Sequence, residues 1–349
     1  MVGAVRTGDR EEPMSSDANS SVTSMREARR ARARRVKAAV SGPPLTTFIA
    51  SWQLALEAAA KSPATVRGYT DSVRWLCRFL VEHDMPADVE GVDAPHIRAY
   101  LLHEEQRTSA VSAAHHFRNI RVFFGWLATE GERENPNPMD RVEAPKVTKK
   151  AKAFFTDEEL SKLLKTCSGS SFADRRDTAI MRIFIDTGIR VSGLAGLRCD
   201  PDEEDKNDVF LTQRRLRIRL KGGDETWVPI GKKAAAALDK YIRTRARHPQ
   251  VSSPWLWLGV QGHNTARMTD SGIRDMVGRR GEQAGIQNVH PHRFRRSFAD
   301  SWLAAGGSTD DLMHITGWKT YDMVREYTEQ RGIARAHNAH ARLSPGDRI

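Results

Sequence analysis

The stretch His292-Arg293-Phe294-Arg295-Arg296-Ser297-Phe298-Ala299, considered with Tyr327 and the distant Arg190, is the most informative part of the sequence. Arginine forks suit the oxygens of a phosphate in bidentate geometry. A histidine can exchange a proton near neutral pH, and a tyrosine hydroxyl can act as a covalent nucleophile. These residue types together favour attack of a tyrosine on a phosphodiester, a reaction that needs no metal.

The length and net charge of the chain indicate how many domains it has and which class of partner it binds. The chain has 349 residues, which corresponds to about two domains at roughly 100–200 residues each. Its formal net charge is +11 and its pI is about 9.8. A pI above about 9 favours a nucleic-acid partner, because cations that neutralise phosphates release counterions. The alternative is a soluble protein that is merely basic.

The cysteines and the apolar runs predict the compartment. Cys77, Cys167 and Cys199 form no CxxC pair, and their odd number argues against a disulfide framework or a zinc site. They fit a reducing cytosol. The sequence has no apolar run of about 18 residues and no signal-peptide core. We therefore expect a cytoplasmic, nucleoid-associated protein that does not contact the membrane.

Composition also predicts the domain organisation. Residues 1–44 read as a disordered basic tail, residues 45–140 as a helical module, residues 141–153 as a linker, residues 154–330 as a mixed domain and residues 331–349 as a C-terminal tail. Within the first tail, the arginine-rich residues 25–37 either fold on DNA phosphates or serve as a solubilising segment.

The helical module shows clear helix starts. Ser62-Pro63 and Asp93-Ala94-Pro95 combine a capping side chain with an early proline. Apolar residues follow at helical spacing, and most are expected in the core. Between them lie eight basic residues that either follow a DNA backbone or are simply solvated: Arg67, Arg74, Arg78, Arg107, His115, His116, Arg118 and Arg121.

The mixed domain combines helices with three short strands. Thr156 and Glu159 predict a capping box, and a helix from Asp177 to Thr187 is expected to end at Gly188. Strands are predicted over residues 209–211, 216–220 and 226–230, with a glycine turn at 221–225 between the last two. The predicted fold class is α+β, mostly α, with a small antiparallel sheet.

Several segments resemble the tyrosine recombinases, or phage integrases. Residues 186–197 around Arg190 resemble the first arginine box of that family, and His292 to Ala299 resemble its HxxR box. Ile315-Thr316-Gly317-Trp318 resembles its Leu-Gly-His/Trp segment. Tyr327 follows Trp318 at the spacing of the family's nucleophile. The turn at Lys221 resembles its lysine-bearing hairpin, and residues 45–140 resemble its SAM-like core-binding domain. The resemblance covers roughly residues 45–330.

The resemblance implies a role for each candidate residue. Arg190 and Arg295 would clamp the phosphate, with Trp318 as an indole donor to the same oxygens. His292 would accept or orient a proton, Lys221 would protonate the leaving oxygen, and Tyr327 would form a 3′-phosphotyrosine. The bland alternatives are a surface arginine, a capping histidine, a core tryptophan and a turn lysine.

Two of the candidate assignments have competitors nearby in the sequence. His290-Pro291-His292-Arg293 also matches HxxR, and it is rejected because Ser297-Phe298-Ala299 follows Arg295 as the family pattern expects. Tyr321 competes with Tyr327 in the same predicted helix. The family spacing selects Tyr327, and its neighbours Arg325 and Glu326 suggest a polar, solvent-facing setting.

The sequence also departs from the family pattern. Gly193 stands where an acidic residue usually supports the arginine, Asp224 stands where a second lysine is common in the hairpin, and Arg296 replaces the usual histidine. Residues 1–44 do not resemble the arm-binding domain of larger integrases.

The resemblance implies a site-specific recombinase for integration, excision or resolution. It would use no cofactor and act as a homo-tetramer on two double-stranded DNA core sites, through a Holliday junction. An accessory DNA-bending protein could assist, and the C-terminal tail could dock on a neighbouring protomer. The alternatives are a type IB topoisomerase-like enzyme and a non-catalytic DNA-binding regulator.

Overall fold

The computed structural model describes residues 42–148, 153–200, 203–219, 225–260, 267–328 and 331–349. The chain divides into two compact units, with the boundary between Lys149 and Lys150. Most of the predicted basic tail and the whole turn at Lys221 lie outside the described residues. Among the helices that are described, none is long and apolar enough to cross a membrane.

In the described residues of the first unit, four α-helices form a bundle. They are α1 (Ile49–Ala58), α2 (Pro63–Glu82), α3 (Ala94–Arg107) and α4 (Ala110–Thr129). Short 3-10 helices lie on either side, at Leu45–Phe48 and Pro138–Arg141. Ser62 accepts a hydrogen bond from the Thr65 amide, and Asp93 forms a capping box with His96. The helix starts predicted at these positions are confirmed.

The core of this unit is rich in aromatic residues. Trp52 stacks on Tyr69 at 5.8 Å and meets Phe123 at 4.9 Å between ring centroids. Two residues expected among the apolar core, Leu54 and Val111, are 68% and 60% exposed. They lie on the solvent side of α1 and α4.

The basic side chains predicted on the surface of this unit are exposed, with one exception. His116 is only 5% exposed. Its Nδ1 lies 3.2 Å from the Ser72 hydroxyl, and its Nε2 lies 3.7 Å from a carboxylate oxygen of Glu104. The expectation that His116 is exposed was wrong, because internal polar partners hold this ring inside the bundle.

The second unit contains nine described α-helices and one sheet. Its helices are α5 (Asp157–Lys165), α6 (Phe172–Thr187), α7 (Val191–Ala195), α8 (Lys232–Arg245), α9 (Asp270–Gln283), α10 (Pro291–Ala304), α11 (Thr309–Thr316), α12 (Tyr321–Thr328) and α13 (Gly332–Leu343). Its strands are β1 (Val209–Phe210), β2 (Arg215–Arg219) and β3 (Glu225–Pro229). They pair antiparallel in the order β1-β2-β3. The predicted fold class is confirmed.

Helix α6 is the centre of the larger core in this unit. It begins five residues before the predicted start, because the Ser171 hydroxyl accepts a hydrogen bond from the Asp174 amide and caps the helix there. Phe184 of α6 stacks on Phe294 of α10 at 5.7 Å, and the ring of Phe155 lies 4.5 Å from that of Phe294, between centroids. These contacts fix α10, which carries His292 and Arg295, against α6.

A second, smaller core also includes residues of α10. It is formed by five buried residues: Phe298, Ala299, Leu312, Trp318 and Val324. They come from α10, α11, α12 and the turn between the last two. This cluster positions the segment that carries Tyr327, which packs against it.

Candidate active site

Arg295 is the most deeply placed of the candidate residues. It projects from α10, is 3% exposed, and donates to the carbonyl oxygens of Gly188 and Thr316, each at 2.7 Å. These carbonyls stand at the C-terminal ends of α6 and α11. Helix C-termini carry partial negative charge, so both ends favour a cation at this position.

Glycine at position 188 is required by two independent constraints. Its φ of +56° lies in the left-handed region, which residues other than glycine adopt only with strain. In addition, a Cβ built at this position would lie 2.8 Å from Cδ1 of Phe298 and 3.2 Å from Cα of Arg295. The absence of a side chain therefore lets α10 approach closely enough for Arg295 to reach the Gly188 carbonyl.

Arg190 stands beside Arg295 at the start of α7. Its Nη1 donates to the Thr316 carbonyl at 3.4 Å, and in the described part of the chain no carboxylate pairs with it. At Gly193, where the family usually supplies an acid, a Cβ would lie 3.1 Å from Cγ2 of Ile218. The departure from the family pattern therefore leaves Arg190 held by a backbone carbonyl instead of a carboxylate.

The charge of Arg190 affects the protonation of Arg295. Burial, together with the neighbouring charge of Arg190, lowers the pKa of Arg295 to about 10, while Tyr327 acts in the opposite direction through its charge and a hydrogen bond. Arg295 thus stays protonated at neutral pH. Its positive charge is not neutralised by any acid among the described residues, which is the electrostatic condition of a site that awaits an anion.

Tyr327 is half-buried in the same place. Its ring centroid lies 4.7 Å from that of Trp318 and 4.9 Å from that of His292. The prediction of a solvent-facing setting was wrong, because these long-range ring contacts outweigh the polar neighbours in sequence. The competing Tyr321 is the exposed one, at 58%, and its hydroxyl donates to Asp310 at 2.5 Å.

Trp318 lies behind the other site residues. It is 5% exposed, and the guanidinium carbon of Arg295 lies 4.7 Å from the centroid of its ring. One ring thus contacts both Arg295 and Tyr327. Trp318, itself part of the small core, thus packs against both the arginine and the tyrosine.

The neighbouring pair His290 and Arg293 is placed differently. His290 caps α10, since its Nδ1 accepts from the Arg293 amide at 3.2 Å. The Arg293 guanidinium donates to the carbonyls of Gln287 at 3.0 Å and Phe154 at 2.8 Å, and to the Glu159 carboxylate at 2.6 Å. This second HxxR match is therefore a structural connection between α10 and the start of α5.

Four predicted residues line one cavity of about 220 Å³: Arg190, His292, Arg295 and Tyr327. Arg274 of α9 also lines it and was missed. Nothing in the sequence distinguishes Arg274 from the many other exposed arginines on helices. Lys221, predicted as a sixth site residue, lies outside the described residues, as does Asp224.

Comparison with known proteins agrees with this geometry. Residues 153–332 match the phage integrase family, and residues 48–131 match the N-terminal SAM-like domain of phage integrases.

The chain belongs to the phage integrase family.

Among curated relatives of this tyrosine recombinase is tyrosine recombinase XerC of Chromobacterium violaceum, 32% identical over 277 residues, which cover 78% of this chain and 86% of the relative. Tyrosine recombinase XerC of Corynebacterium efficiens is 28% identical over 291 residues, 81% of this chain and 87% of the relative. The resemblance inferred from the sequence motifs is thereby confirmed.

Solved structures show the same fold. The Tn1549 transposon integrase in complex with a circular intermediate DNA aligns with a TM-score of 0.65 at 16% identity and covers 86% of this recombinase and 100% of that chain. The lambda integrase dimer bound to a COC′ core site aligns with a TM-score of 0.64 at 16% identity, over 86% and 81% of the two chains.

Proposed function

We propose that this recombinase cleaves and rejoins double-stranded DNA at a core site through a 3′-phosphotyrosine formed by Tyr327. The observation that carries the proposal is the composition of the cavity of about 220 Å³. Three arginines, one histidine and one tyrosine line it, and its lining contains no carboxylate. A surface of this composition attracts a phosphate and offers it a nucleophile.

Arg295 has donors to spare for a phosphate. A guanidinium carries five N–H donors, and two of them serve the carbonyls of Gly188 and Thr316. A further hydrogen bond joins Arg295 to Tyr327. This bond holds the phenol oxygen against the guanidinium, so the nucleophile and the positive charge reach the same phosphate. Arg190 stands beside Arg295, lines the same cavity and completes the proposed clamp.

The proposed reaction proceeds in two balanced steps. The Tyr327 oxygen attacks phosphorus, the bond to the 5′ oxygen breaks, and the tyrosine proton leaves through His292, which packs against the phenol ring. The leaving 5′ oxygen takes a proton, for which we propose Lys221 as the donor. A 5′-hydroxyl then attacks the phosphotyrosine and reverses the exchange. The phosphodiester energy is kept in the covalent bond, so the reaction consumes no cofactor.

We further propose that four protomers act together on two DNA core sites, with the first unit as the core-binding domain. The lambda integrase, which shares this fold with a TM-score of 0.63 at 15% identity over 84% of this chain and 79% of its own, has been solved as a tetramer bound to a Holliday junction.

Helix α13 has no buried residue, and its Ile333 and Leu343 are 74% and 61% exposed. These apolar side chains support docking of residues 331–349 on a neighbouring protomer. DNA binding would place the protein on the nucleoid, with an accessory DNA-bending protein as an optional partner.

The experiment compares two tyrosine variants on nicked suicide duplexes, with the site selected from a random-sequence library. Tyr327→Phe removes one oxygen and almost no volume, so the fold and DNA binding should survive while covalent adducts disappear. Tyr321→Phe is the matched control, because it lies in the same helix and makes an exposed contact to Asp310. An adduct mapped by peptide mass spectrometry to Tyr321, or one that persists in Tyr327→Phe, would contradict the assignment.

A further inference from the structure

The second unit carries another concave surface, the α6–α8 groove, away from the residues of the active-site cavity. It encloses about 910 Å³, and none of its lining residues lines the cavity at Tyr327. Six basic residues line it: Arg175, Arg182, Lys233, Lys240, Arg243 and Arg247. Neither the family resemblance nor the proposed reaction uses any of them.

The basic residues form two rows at regular spacing. Arg175 and Arg182 are seven residues apart on α6, and Lys233, Lys240 and Arg247 follow at the same interval along α8 and the turn after it. Seven residues span about 10.5 Å of helix and return to nearly the same face. Each helix therefore presents one straight row of cations.

The two rows face each other across the groove. The helices run antiparallel, since Arg175 Nη1 near the start of α6 donates to the Thr244 hydroxyl near the end of α8 at 2.8 Å. At the opposite end, the Gly231 amide before α8 donates to Asp186 near the end of α6. Together the rows line one positively charged groove, in which Lys233 and Lys240 stand about 10.5 Å apart along α8 and Arg247 follows in the turn after the helix.

Most of this charge is uncompensated. In the described part of the chain, the side chains of Arg182, Lys233, Lys240 and Arg247 have no hydrogen-bond or ion-pair partner. Arg243 pairs with Asp239 at 2.6 Å. The groove lining contains no carboxylate. Cations concentrated in a concave surface create a strong local potential for a polyanion.

We propose that the α6–α8 groove binds the phosphate backbone of a DNA segment other than the one held at Tyr327. The interval of about 10.5 Å between cations spans several negative charges of a duplex, which carries about one charge per 1.7 Å of its axis. That this segment belongs to a second duplex rests on the proposed function, in which the first duplex occupies the active-site cavity. One protomer would then hold two DNA segments at once.

The lining favours a nucleic acid over an acidic peptide. Peptide recognition relies on aromatic or aliphatic anchors buried in pockets. The groove offers only small apolar residues, Cys167, Ala236 and Ala237, with the polar Ser168, Ser170 and Thr178. A phosphate backbone needs no apolar pocket, because its affinity comes from cations and counterion release.

A bridging assay tests the proposal with the full chain. One random-sequence duplex is immobilised, a second, fluorescent random-sequence duplex is added with the protein, and the retained fluorescence is measured against salt. The double variant Lys240→Ala/Arg247→Ala should retain the second duplex about tenfold less, and the slope of log K against log salt should fall by about 1.8, or 0.9 for each lost phosphate contact.

The matched control is Lys165→Ala/Lys232→Ala. It removes two exposed lysines of the same unit that do not line the groove, and bridging should stay within about twofold of the unchanged protein. Binding of a single duplex and formation of the covalent adduct should also be unchanged in the groove variant. All four substituted side chains are exposed, and thermal melting checks that each variant is folded.

Each other outcome overturns the proposal in a distinct way. If bridging is unchanged in the groove variant, the groove does not bind a second DNA segment and the proposal is wrong. Equal losses of bridging, single-duplex binding and adduct make the groove part of the primary DNA surface. A labelled oligoglutamate that binds the groove more tightly than the duplex assigns it to an acidic protein. Failure of the proposed function looks different, because the unchanged protein then gives no covalent adduct while bridging persists.

Discussion

Helix α10 carries two overlapping His-x-x-Arg pairs, and the structure uses them in opposite ways. Arg293 is neutralised by the Glu159 carboxylate at 2.6 Å, whereas Arg295 meets carbonyl oxygens and lies beside the like charge of Arg190. The two arginines are two positions apart, which turns them about 200° around the helix axis. Identical residue types at identical spacing thus make a structural ion pair on one face and, on the other, a cation held by carbonyl oxygens.

The largest expected effect is on catalysis. Arg295→Met keeps most of the side-chain volume and removes the charge, so we expect the rate of adduct formation on a nicked duplex to fall by about 10²–10³-fold. DNA binding should stay within about tenfold, because a transition-state clamp acts differentially on the strained phosphate. Equal losses of binding and cleavage would instead make Arg295 a residue that serves binding or structure.

The reverse pattern is expected for Arg293→Met. Removing one partner of a buried ion pair costs about 3–5 kcal/mol, and the partial exposure of Glu159, at 28%, places this case at about 2–3 kcal/mol. Arg295→Met should cost less, about 1–2 kcal/mol, because it removes a buried charge without an acidic partner but leaves the carbonyls of Gly188 and Thr316 without this donor. Urea unfolding of both variants measures the difference. Similar losses would mean that Arg295 is also part of a compensated network.

A third prediction uses an anion as the missing partner of Arg295. Inorganic phosphate should raise the melting temperature of the unchanged protein, with a gain of about 1.4 kcal/mol at ten times its Kd. Arg293→Met should keep this gain, whereas Arg295→Met should lose the part that depends on the active-site cavity. Thermal melting at increasing phosphate concentration distinguishes the variants, and an equal gain in both would place the anion elsewhere.

The smallest expected effect concerns the histidines of the two pairs. Burial, followed by the charges of Arg296, Arg293 and Arg274, lowers the pKa of His290. The unfolded chain therefore binds this proton more readily, so the contribution of His290 is fully present above its ordinary pKa, about 6.5, and is lost as pH falls toward the lower folded value. His290→Asn keeps a capping oxygen without the titration.

Unfolding free energies at pH 7.5 and 5.5 test this point. The drop on acidification should be smaller in His290→Asn than in the unchanged protein. An identical drop in both proteins would assign the acid sensitivity to other groups.

Local signals allowed much of the fold to be predicted. Ser62, Asp93 and Thr156 correctly predicted helix starts, and Gly188 correctly predicted a helix end. Capping depends on residues within one turn, so these signals are visible in the local sequence. The start of α6 was placed too late because the apolar periodicity begins after its polar first turn. What fails to appear in local sequence is packing between distant residues.

The active site shows the same division. Motif spacing selected Arg190, His292, Arg295 and Tyr327, which the structure brings to one cavity. It could not show that Tyr327 is half-buried, since the rings of Trp318 and His292 that cover it come from elsewhere in the chain. Nor could it show the carbonyl partners of Arg295, because every residue has a carbonyl and only the fold decides which ones converge.

The small core beneath Tyr327 has a consequence for the timing of local motion. Five buried residues hold α11 and α12, whereas the main core around α6 contains thirty. A segment with fewer buried apolar contacts opens at a lower free energy than the whole unit. Amide hydrogens of α11 and α12 should therefore exchange with solvent through sub-global opening, while those of α6 wait for global unfolding. Tyr327, the proposed nucleophile, thus lies on a segment that is expected to open locally without unfolding of the main core.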